Sequence, residues 1–85
     1  MSYRLELETR AVKDLSSLPK DRRELLAAVL DDLQRQPRPP GSKKLSGVDG
    51  YRVRKGDYRV LYTIEDAARR VRVYRIGHRR EVYRR

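Results

Sequence analysis

The chain has 85 residues, 22 of them Lys or Arg and 12 Asp or Glu, for a formal net charge of +10. That length predicts a single domain over residues 1–85, whose core must come from Leu, Val, Ile, Ala and six Tyr, since Phe and Trp are absent and Met occurs once. Lack of Cys excludes a disulfide framework, a thiolate metal site and a thiol nucleophile. No run approaches the roughly 18 apolar residues of a spanning helix, so a soluble, cytoplasmic protein is expected.

In chain order, Tyr3, Leu5 and Leu7 alternate with Arg4, Glu6 and Glu8, which predicts a strand over residues 2–8 with one buried face. Thr9 reads as the N-cap of a short helix carrying Ala11, Val12, Leu15 and Leu18 until Pro19 interrupts. The Asp21 to Glu24 spacing resembles a capping box, and Leu25, Leu26, Val29, Leu30 and Leu33 then form the apolar stripe of a second helix. Pro37, Pro39, Pro40 and Gly41 make residues 36–42 a stiff, extended loop. Three β-rich runs follow, at residues 51–54, 58–64 and 71–76, with connections short enough for an antiparallel meander. The tail, residues 77–85, is charged, with room for one helical turn.

This order predicts an α+β fold: an antiparallel sheet with a helical hairpin on one face and the other face open. Alternation points Tyr51, Val53, Tyr58, Val60 and Tyr62 inward and leaves Arg52, Arg54 and Arg59 together on the open face. In the last strand Val71, Val73 and Arg75 alternate with Arg72, Tyr74 and Ile76, the pattern of a central strand apolar on both sides.

Charge is divided unevenly along the chain. Residues 1–40 hold eight basic and seven acidic side chains, whereas residues 41–85 hold fourteen and five. Clustered Arg and Lys gain by releasing counterions from phosphates, so the second half reads as a polyanion-binding surface. Arginine clamps phosphate through a planar fork but is a poor proton acceptor. His78 is the single histidine, which excludes a two-histidine ribonuclease mechanism within one chain. The acids of the basic half are scattered, and no Gly-rich phosphate loop or zinc-ligand spacing is present, so neither metal nor cofactor is expected.

Three segments carry a resemblance: residues 50–54 (Gly50 to Arg54), residues 57–62 (Asp57 to Tyr62) and residues 76–83 (Ile76 to Tyr83). In this order and spacing they resemble a RelE-type toxin of the RelE/ParE toxin-antitoxin superfamily over nearly the whole chain. The resemblance implies a ribosome-dependent endoribonuclease that cuts messenger RNA in the A site without a metal, the 2'-hydroxyl attacking the adjacent phosphate to leave a 2',3'-cyclic phosphate. It implies catalytic roles for Arg52, Arg54, Arg59, Arg79 and Tyr83, RNA contacts from Lys43, Lys44, Lys55, Arg75, His78 and Arg80, and a cognate acidic RelB-like antitoxin in a hetero-oligomer. Best-described members have Lys at the two strand positions held here by Arg52 and Arg54, which shifts proton transfer toward Tyr83 or His78. Two other readings share the fold: a ParE-like inhibitor of DNA gyrase and a non-catalytic RNA-binding module.

Overall fold

The computed structural model describes residues 2–45 and 50–78. Its elements are β1 (Arg4–Leu7), α1 (Thr9–Ser16), α2 (Lys20–Arg35), β2 (Lys43–Lys44), β3 (Tyr51–Lys55), β4 (Tyr58–Glu65) and β5 (Arg70–His78). The expected α+β architecture is present. β3, β4 and β5 form the antiparallel meander, and the five strands lie in the order β1-β5-β4-β3-β2.

Two features of the sheet depart from expectation. β1 joins in parallel, with Leu5 opposite Val71 and Leu7 opposite Val73, because the two helices carry the chain back before the meander begins. A fifth strand, β2, pairs Lys43 with Arg52 and Lys44 with Tyr51, where the sequence shows two lysines and no apolar alternation.

Both helix starts also differ. Glu8, not Thr9, occupies the position before α1, and it makes no side-chain cap. Pro19 precedes α2, and its carbonyl accepts the amide of Arg23 at 2.9 Å, so the helix begins before Asp21 and the capping box does not form. A proline is well suited there, since its φ is preset and its missing N–H lies where no helical partner exists.

The core lies between the helices and one sheet face. Leu26, Leu30 and Leu33 of α2 and Ala11 of α1 pack with Val53, Val60, Tyr62, Val71, Val73 and Ile76. Tyr62 is fully buried and stacks on Tyr51 with ring centres 5.9 Å apart. Its hydroxyl donates to the Pro37 carbonyl at 2.7 Å, and burial pushes the phenol pKa up to about 12. Arg38 in the proline loop adds a second tie: it pairs with Asp66 at 3.0 Å and lies over the Tyr51 ring, while the Tyr3 hydroxyl donates to the same Asp66 carboxylate. The Arg38 guanidinium and the Tyr3 hydroxyl together hold the Asp66 carboxyl below the usual carboxylate range.

Between β4 and β5 the register slips at Leu61/Tyr62, where Leu61 faces Arg75 but Tyr62 faces Val73. This bulge inserts Tyr74 as an extra residue and resets the alternation. Val71, Val73 and Ile76 therefore all face the helices, which corrects the expectation that Ile76 lies on the opposite side from the two valines.

Candidate nucleic-acid interface

Residues directly opposite one another in antiparallel strands project to the same side of the sheet. On the side away from the helices, one row runs Lys43, Arg52, Leu61, Arg75, and the next runs Arg54, Arg59, Gly77. Arg52, Arg54 and Arg59 thus share a face, as their alternation predicts, and Lys43 joins them through β2. No carboxylate occupies a register position in either row.

This face is less open than its sequence suggests. Arg59 is 8% exposed and Leu61 is 4% exposed, although neither belongs to the helix-covered core. The Arg59 Nε is buried without an acceptor, and its guanidinium makes no hydrogen bond or ion pair among the described residues. A buried cation without a counter-charge costs free energy, a cost that a bound anion offsets.

The opposite end of the same face is built differently. There Arg70 lies 3.1 Å from Glu65 and 3.7 Å from Glu6, and Arg72 lies 3.3 Å from Glu6. The β1–β5 register brings Glu6 beside Arg72, so the acids of β1 and β4 neutralise the arginines of β5.

Arg75 belongs by register to the first row, but its Nε donates to Asp14 Oδ2 at 2.8 Å, with side chains only 15% and 13% exposed. The same Asp14 oxygen accepts the backbone N–H of Ile76 at 3.0 Å. Because β1 ends at Leu7, α1 supplies this carboxylate to the stretch of β5 edge that β1 leaves uncovered. Asp14 is a residue the sequence reading missed; an acid beside the buried Ala11 stripe of a short helix was its sole signal.

Three expected RNA contacts are not brought to the arginine face. Lys44 stands opposite Tyr51, and Lys55 and His78 stand opposite Tyr58, all on the helix side by register. His78 packs edge-on against the Tyr58 ring, 6.1 Å between centres. Strand alternation is the cause: each is an odd number of positions from the arginines on its own or the facing strand. Arg79, Arg80 and Tyr83, with the expected helical turn of the tail, lie outside the described residues. Among the described residues, no group of three or more His, Asp or Glu side chains is placed to hold a metal ion, and no helix is long and apolar enough to cross a membrane.

Comparison with known proteins decides the class. The model of the ParE toxin family of type II toxin-antitoxin systems matches residues 5–83. The chain belongs to this family. It is 37% identical to Toxin RelG of Mycobacterium tuberculosis, with 100% of each chain covered. It also superposes on the RelBE2 toxin-antitoxin complex of that organism with a TM-score of 0.83 and 30% identity, covering 93% of this chain and 100% of the other. The RelE–RelB complex of Pyrococcus horikoshii gives a TM-score of 0.83 and 32% identity over 94% and 98% of the two chains. Family and relatives together make this a type II toxin of RelE type, on the fold its sequence implies.

Proposed function

We propose that this family member is a ribosome-dependent endoribonuclease that cuts messenger RNA in the A site, with Arg52, Arg54 and Arg59 binding the scissile phosphate. The buried, unpartnered guanidinium of Arg59 carries the reading. A planar fork held in a low-dielectric setting beside Arg54 and Arg52 suits the two nonbridging oxygens, whose charge grows as the 2'-oxygen adds to phosphorus. The 2'-oxygen forms the new P–O bond, the bond to the 5'-oxygen breaks, and the 2'-hydroxyl proton and the proton taken up by the 5'-oxygen balance. The products are a 2',3'-cyclic phosphate and a 5'-hydroxyl.

Arginine suits the clamp and not the proton transfer. His78 stands on the other side of the sheet, which favours Tyr83 as the group that exchanges the proton, with Arg79 adding charge at the same phosphate. Lys43 and Arg80 extend the RNA track. We assign as partner an acidic RelB-like antitoxin that neutralises this face; the solved RelBE2 and Pyrococcus relatives are toxin–antitoxin complexes.

The family description, a ParE toxin, favours a second reading in which the target is DNA gyrase. Incubation with programmed ribosomes and, separately, with gyrase and supercoiled DNA distinguishes the two. A-site cuts ending in a cyclic phosphate, lost in Arg59→Ala, are the expected result. Gyrase-trapped DNA breaks without ribosomal cleavage would overturn it, and salt-sensitive RNA binding without cutting would reduce the protein to a binding module.

A further inference from the structure

The bulge between β4 and β5 has a consequence for the arginine face. Arg72 and Tyr74 alternate with the buried Val71 and Val73, so Tyr74 projects away from the helices, and it takes no part in the helix-covered core. Since Tyr74 is the inserted residue, Arg75 follows it onto the same side before Ile76 turns inward. The Tyr74 side chain does not stand upright. A Cβ placed on Gly50, next to the start of β3, would lie 2.9 Å from the Tyr74 hydroxyl. β5 and β3 are two strand spacings apart, about 10 Å, so the ring must lie across β4 to reach that point. Gly50 has no side chain to obstruct it.

The ring thus lies along one border of the row Lys43, Arg52, Leu61, Arg75, between that row and the Arg72–Glu6 pair. A flat aromatic surface beside a phosphate clamp is what a nucleobase stacks on. We propose that Tyr74 is a base-stacking residue that positions the nucleobase adjoining the phosphate held by Arg52, Arg54 and Arg59. The proposal rests on the RNA-cleaving reading above and adds to it the residue that grips the base.

The test measures binding to programmed ribosomes whose A-site message carries a 2'-deoxy nucleotide at the attacking position, so that nothing is cut. A second message is abasic at one A-site nucleotide at a time. Tyr74→Leu should weaken binding about tenfold on the intact message, and by less than twofold on the message abasic at the stacked position. Tyr74→Phe and Tyr74→Trp should bind as the wild type does. Equal binding by wild type and Tyr74→Leu, or an equal loss on intact and abasic messages, would overturn the proposal while leaving the arginine clamp in place. If wild type and Arg59→Ala bind the ribosomes alike, the RNA reading itself fails and the stacking role with it.

Discussion

The two ends of one sheet face use the same residue type for opposite purposes. At the β1 end, Arg70 and Arg72 are laced to Glu6 and Glu65. At the β2 end, Arg54 and Arg59 have no acidic partner among the described residues, although one of them is largely buried. Arginines of the first kind blunt a surface and add little, since exposed ion pairs are each worth about 0–1 kcal/mol. Those of the second kind oppose folding, and a protein keeps such groups where a ligand's charge completes them. What separates the two is which strand runs alongside: β1 brings a carboxylate into register, and β2 brings Lys43.

The sharpest way to break this contrast is Arg59→Met. Cleavage should fall about 10²- to 10³-fold, as when one charge-stabilising donor is removed, while stability rises by ~1 kcal/mol because an uncompensated cation leaves the interior. Thermal unfolding alongside the ribosome assay checks both. If activity and stability fall together, Arg59 is structural.

Asp14→Ala tests Arg75, the first-row arginine that α1 holds through a carboxylate. Removing the carboxylate strips Arg75 Nε and the Ile76 N–H of an acceptor and should lower stability by about 2–3 kcal/mol in a denaturant titration. Tyr62 supplies a control on the helix side of the sheet. An unfolded phenol titrates near 10, and burial holds this one up to about 12. Its contribution to stability is therefore complete below pH 10 and lost as pH rises toward 12, and Tyr62→Phe should flatten unfolding curves over that window. Smallest of all, Glu6→Gln with Glu65→Gln should change stability by less than ~1 kcal/mol. It should steepen the salt dependence of RNA binding by converting the blunted end into a second phosphate-binding one.

Much of this was legible in the sequence, and the losses have physical causes. Strand alternation correctly grouped Arg52, Arg54 and Arg59, because β3 and β4 are regular and joined by a two-residue turn whose Gly56 takes the positive φ of +59° it requires. The same alternation misassigned Ile76, since a bulge adds a residue without any marker in composition. It also leaves Lys44, Lys55 and His78 on the helix side, so nearness in sequence to the arginines does not place a basic residue on their face. β2 escaped notice because two lysines have no period, and its pairing comes from the partner strand. The Asp14–Arg75 pair joins residues 61 positions apart, a distance that no local pattern spans.

The parallel pairing of β1 with β5 sets an order of events during synthesis. Among the described strands, residues 4–7 have only residues 70–73 as a partner, so the first strand made must wait for the last. The sheet cannot close while β5 is still inside the exit tunnel, so among the described strands β1 stays without its partner until the last of them has emerged.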